Sequence, residues 1–125
     1  MRRSPERTEF LADVLTTAVE GGINYWAQVS DYKNECDFPV AETSVVVYDV
    51  EDDPDNENPE GIPVNIEKIA SAIRRILNPE DDCGIGPRVT ATIREANAQN
   101  DAGLIDADDA DCIMQVAALG RCIYG

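Results

Sequence analysis

Apolar residues recur along this chain with two different periods. Phe10, Leu11, Val14, Leu15, Ala18 and Val19 fall three and four residues apart, which makes one stripe of an α-helix. The spacing predicts a helix over about 9–20, capped by Thr8 and ended by Gly21-Gly22. Glu9 and Asp13 stand in its early turns, where the helix dipole favours anions. The same period carries Ile66, Ile69, Ala70, Ile73, Ile76 and Leu77, so a second helix is predicted over 66–77. Asn65 is its cap, and Arg74 and Arg75 lie in the last turn. Val89, Ile93 and Ala96 mark a helix over about 88–99. Ile113, Val116 and Ala117 mark a last one over about 107–119, with Asp106 at its start and Gly120 at its end.

The other period is two. Ile23, Tyr25, Ala27 and Val29 alternate with Asn24, Trp26, Gln28 and Ser30, and a strand is predicted over about 25–32. "TSVVVYDV", residues 43–50, is rich in β-branched residues and is the clearest strand. The two read as an antiparallel pair. Residues 1–7 read as a flexible arm, and "NPEDDCGIGP", residues 78–87, as a loop. "RCIYG", residues 121–125, is expected to pair with the sheet or cover the core. No internal repeat is present. The whole, residues 1–125, reads as a single α+β domain: a small antiparallel sheet of two or three strands packed against about four helices.

Charge changes the picture. The chain of 125 residues carries 25 acidic and 10 basic side chains, a net charge of −15. Such a chain is poorly suited to direct nucleic-acid binding, because phosphate neutralisation needs Lys and Arg. Anionic membranes are disfavoured for the same reason, and no apolar run nears the roughly 18 residues that span a bilayer. A cytoplasmic protein is expected, with basic surfaces as its natural partners. Histidine is absent, which removes Ser-His-Asp and Cys-His catalysis and H-E-x-x-H zinc sites. The four cysteines, Cys36, Cys83, Cys112 and Cys122, form no C-x-x-C motif. Reduced thiols are expected, with Cys112 in the core and Cys36 and Cys83 in polar, exposed surroundings.

Two acidic clusters stand out. "YDVEDDPDNENPEG", residues 48–61, holds seven carboxylates and no cation. The stretch 51–61 reads as an acidic loop. Asp49, Glu51, Asp53, Asp55 and Glu57 occupy alternate positions, so an extended chain would set them along one side. Their spacing, about 6.5–7 Å at two residues of strand rise, approaches that of phosphates on a DNA strand. A calcium loop also uses alternate positions, but it needs Gly at its sixth place and Glu at its twelfth. Counting from Asp53 those places hold Asn58 and Val64, and from Asp49 they hold Pro54 and Glu60. The bland alternative is a solvated excursion after a strand. The second cluster is Asp106, Asp108, Asp109 and Asp111. Its place at a helix start favours capping, with Asp106 and Asp109 forming a capping box. The competing reading is a calcium- or magnesium-binding carboxylate group, with magnesium-dependent hydrolysis as its activity.

Alternation sets Tyr25 and Trp26 on opposite faces of the first strand, so one of them points away from the core. Core packing is the default for each of these aromatics; an exposed Trp26 beside carboxylates would instead anchor a partner. Arg74, Arg75 and Arg94 are expected to serve internal ion pairs.

The segments "FLADVLTTAVEGGINYW", "VVVYDVEDD" and "NDAGLIDADDADCIMQVAALG" resemble small acidic proteins of unknown function encoded by bacteriophages and mobile elements of actinobacteria. The resemblance runs from about residue 9 to 125. It implies a non-enzymatic accessory protein that binds a host protein, as acidic inhibitors of defence systems do when they imitate DNA. The expected function is therefore an acidic binding protein, a DNA mimic among the forms considered, that blocks a basic cleft on a host nucleic-acid-binding or defence protein. The residues expected to make the contact are Asp49, Glu51, Asp52, Asp53, Asp55 and Glu57, with Trp26 as anchor. No catalytic residue, metal or cofactor is assigned. A small structural or regulatory module, charged only for solubility, is the remaining alternative.

Overall fold

The computed structural model describes residues 3–125. Helix α1 runs Pro5–Thr17 and continues through a π-helical turn, Ala18–Gly22. Strand β1 (Ala27–Lys33), a 3-10 turn (Val40–Glu42), β2 (Ser44–Asp49) and β3 (Ile62–Asn65) follow. Then come α2 (Ile66–Leu77), α3 (Pro87–Gln99), a 3-10 turn (Ala102–Leu104) and α4 (Ala107–Leu119). Four helices and a three-stranded antiparallel sheet make the α+β fold that the two periods predict.

The sheet order is β1-β2-β3. Val29 pairs with Val47, and Val45 with Val64. Ala27, Val45, Val47 and Val64 are buried. A bulge at Asp31, whose φ is 50°, shifts the register between Ser30 and Lys33. Strand β3 went unpredicted: four residues containing Pro63 carry little strand signal of their own, and pairing with β2 gives them their form. Pro63 has no N–H to offer, which suits an edge strand.

Helix α2 is the hub, packing against α1, α3 and α4. Its buried stripe is Ile66, Ile69, Ala70, Ile73 and Ile76, and each isoleucine so buried contributes roughly 1.5–3 kcal/mol. The caps follow the expected chemistry. Asn65 Oδ1 accepts from the Lys68 N–H at 3.0 Å, and Asp106 and Asp109 form the reciprocal capping box of α4.

Four expectations need correction here. Residues 5–7 belong to α1 and not to an arm, because Ser4, not Thr8, caps the helix and Pro5 opens it; Pro is pre-organised for that position. Residues 1 and 2 lie outside the described residues. Gly21-Gly22 does not simply stop α1 but lies within its π-helical extension. Cys83 is buried rather than exposed, while Cys36 is exposed and Cys112 is half-buried. Strand β1 begins at Ala27 rather than near 25, so Tyr25 and Trp26 lie in the turn before it and not on opposite strand faces; Trp26 is fully buried and Tyr25 is 51% exposed.

Candidate functional site

Antiparallel β2 and β3 are joined by residues 50–61, so the acidic stretch is an overgrown hairpin loop. Its base is tied down. The Trp26 carbonyl accepts from the Val50 N–H at 3.0 Å. Asp49 Oδ1 accepts from the N–H groups of Glu51 and Asp52 at 3.0 and 3.2 Å. Asp49 Oδ2 accepts from the Tyr124 hydroxyl at 2.9 Å. Burial, and next the bond to Asp49, push the Tyr124 phenol up to about 12.

Beyond the base the chain turns instead of extending. The Asn56 N–H donates to the Asp53 carbonyl at 3.1 Å, with Pro54 at the second position of that turn. The Asn58 N–H donates to its neighbour Asn56 Oδ1 at 3.0 Å. The expected one-sided row of carboxylates at alternate positions is therefore not formed. Asp and Asn side chains capture nearby N–H groups and compete with the extended backbone. What forms is a lobe, and residues 51–58 are all exposed.

The return arm of the lobe lies on the outer face of the sheet. Gly61 permits this: a Cβ there would stand 2.7 Å from Val46 Cγ1 and 3.0 Å from the Tyr48 ring. A groove of about 420 Å³ opens between Gln28, Ser30 and Tyr48 on the sheet and Glu57 and Pro59 on the arm. The Tyr48 and Ser30 hydroxyls meet at 3.1 Å on its floor.

The cations sit elsewhere. From Asn34 to Asn65 the sequence has no Lys or Arg. Among the described residues the ion pairs are Arg3–Glu67 and Arg75–Asp81, and neither involves the lobe. The Arg75 guanidinium holds Asp81 below the usual carboxylate range. Arg7 binds Asn97 and Asn100 on and beyond α3. The carboxylates of residues 51–57 thus face water, with no ion pair to a cation of their own chain among the described residues.

Of the expected contact residues, the fold brings Asp49, Glu51, Asp52, Asp53, Asp55 and Glu57 into one lobe and removes Trp26 from it. Trp26 lies beneath the lobe's base. Its Nε1 donates to Asp111 Oδ1 at 2.8 Å, and its ring stacks on Tyr124 with centroids 5.7 Å apart. Trp26 therefore positions the site and cannot touch a partner. The supporting residues that the sequence did not single out are Tyr124 and Gln115. Tyr124 lies in a tail with no helical or strand period, and its only signal is an aromatic beside Ile123 in a five-residue stretch.

Three of the four carboxylates of the second acidic cluster do structural work, and the fourth, Asp108, is exposed in the first turn of α4. Asp106 and Asp109 cap α4. Burial raises the pKa of Asp109, although the Asp106 N–H bond opposes it. Asp111 is buried and accepts from Trp26, Tyr25 and Gln115. Among the described residues no group of three or more Cys, Asp or Glu side chains is arranged to hold a metal ion. Among them, too, no helix is long and apolar enough to cross a membrane.

The fold and this lobe define an acidic α+β protein. No protein-family model, curated protein or solved structure matches the chain.

Proposed function

We propose that the protein is a non-enzymatic acidic binding module of the phage or mobile-element kind, acting in the cytoplasm. Its β2–β3 lobe enters a basic cleft on a nucleic-acid-binding or defence protein and occupies the place of a phosphate backbone. One observation carries the reading: the carboxylates of Glu51, Asp52, Asp53, Asp55 and Glu57 are exposed together with no cation of their own chain paired to them among the described residues. A free concentration of like charge raises the self-repulsion of the folded state, and a basic partner relieves it. The groove beside Tyr48 and Glu57 adds a receptacle for one Arg or Lys of the partner, with an aromatic face and a carboxylate as its walls.

The test is capture from an actinobacterial lysate with the wild type and with a variant carrying Glu51→Gln, Asp52→Asn, Asp53→Asn, Asp55→Asn and Glu57→Gln. Asp49 is left intact because it ties the loop base. We expect the wild type to retain a nucleic-acid-binding protein that duplex DNA displaces and that elutes as salt rises toward 1 M, where the screening length falls to about 3 Å. The variant should lose it. Capture that is indifferent to salt, to DNA and to the five substitutions overturns the proposal.

A further inference from the structure

The tail after α4 folds back along its own helix. The Cys122 N–H donates to the Cys83 carbonyl at 2.7 Å, and the Ile123 and Tyr124 N–H groups donate to Gln115 Oε1 at 2.7 and 2.8 Å. These bonds fix where the Cys122 side chain goes. Its sulfur stands 3.5 Å from the sulfur of Cys112 on α4, at the wall of a cleft of about 510 Å³ lined also by Tyr25, Ile85 and Val89. Cys83, the other cysteine nearby, turns away, its sulfur 3.6 Å from Asp81 Oδ1. Cys36 is exposed on the β1–β2 connection.

We propose that Cys112 and Cys122 form a specific dithiol site that a small-molecule disulfide converts to an intramolecular disulfide. The sulfurs need to approach by only about 1.5 Å to reach the bonding distance of ~2.05 Å. Both side chains are half-buried rather than sealed, and the cleft gives a reagent access. In the resting state burial raises both thiols, Cys112 to about 12, while the neighbouring sulfur works against that rise at Cys122. In the proposed sequence Cys122, carried on the tail at the cleft wall, attacks first, and Cys112, held within α4, resolves. The Cys122 thiolate attacks one sulfur of the reagent RSSR, the S–S bond breaks, and RS⁻ leaves. The Cys112 thiolate then attacks the Cys122 sulfur of the mixed disulfide and expels the second RS⁻. Two protein thiols are oxidised, one RSSR is reduced to two RSH, and the two thiol protons go to the leaving thiolates.

The bond would pin residues 120–125 to α4. It would keep Tyr124 stacked on Trp26 and bonded to Asp49, and so tie the base of the acidic lobe to the core. The inference stands on the geometry of the tail and does not depend on what the lobe binds.

Tryptic mapping tests it, because Arg94 and Arg121 place Cys112 in peptide 95–121 and Cys122 in peptide 122–125. The native protein is incubated with oxidised glutathione, unfolded, alkylated and digested. We expect those two peptides to be joined by a bond that dithiothreitol cleaves, with Cys36 and Cys83 alkylated. The Cys112→Ser variant should instead retain glutathione on Cys122, with Trp26 fluorescence reporting that the fold is kept. Alkylation of all four cysteines, a linkage through Cys36 or Cys83, or no adduct on Cys122 in the variant overturns the inference.

Discussion

The side chain of Gln115 is fully buried and serves the tail on two sides. Oε1 accepts from the Ile123 and Tyr124 N–H groups, and Nε2 donates to the Tyr124 carbonyl at 3.1 Å and to Asp111 Oδ1 at 3.0 Å. A buried amide is costly only when a partner is missing. Here none of the buried side-chain N and O atoms among the described residues is left without one. Gln115→Leu keeps the volume and strips those partners. It should destabilise the protein by about 2 kcal/mol in urea unfolding. It should also free the tail. Trp26 is the only tryptophan, so its emission reports this directly. A red shift is expected as Tyr124 leaves its ring, and an unshifted spectrum with unchanged stability would refute the role.

At the scale of the element, α2 and α4 form from local instructions. Their stripes repeat at helical spacing, and their caps lie within three residues of the groups they satisfy. Asp106→Ala removes the α4 cap and frees Asp109 from its reciprocal bond. The expected cost is about 1 kcal/mol, read as a lower urea midpoint with an unchanged slope. An unaltered midpoint would show that the box contributes nothing. Such elements were legible in the sequence to within a residue or two. Strand β3 was not, since "IPVN" becomes a strand only against β2. The lobe was legible as charge but not as shape. Alternation of acidic residues suggested an extended row, whereas turn bonds at Asp49, Asp53 and Asn56 fold it.

The whole molecule bears a net charge of −15, and part of that charge meets itself. Asp13 on α1 faces Glu35, whose Oε2 accepts from Thr16 Oγ1 at 2.9 Å. Burial, then a hydrogen bond with Glu35, then the charges of Glu35 and Glu9 raise Asp13 from 3.8 to about 7. Between those values the folded chain holds a proton that the unfolded chain releases. Stability is therefore complete below the lower value and falls as pH rises toward the upper one. Asp13→Asn imitates the protonated acid. It should stabilise the protein at about pH 8 by roughly 1 kcal/mol, the shift being discounted because the pair is partly solvated. At about pH 4 it should change little. Equal effects at the two pH values in urea titrations would contradict the assignment.

The sequence by itself determined the four helical stripes, the β1–β2 pair, the caps of α2 and α4 and the presence of a cation-free acidic segment, because each depends on residues a few positions apart. Only the tertiary structure decided that Trp26 is buried while Tyr25 stays half exposed: both lie in the turn before β1, where strand alternation does not hold, and both donate to Asp111 of α4. It alone brought the tail under the lobe and Cys122 to Cys112, because contacts across the fold are set by packing around α2 and α4 and leave no periodic trace in the chain.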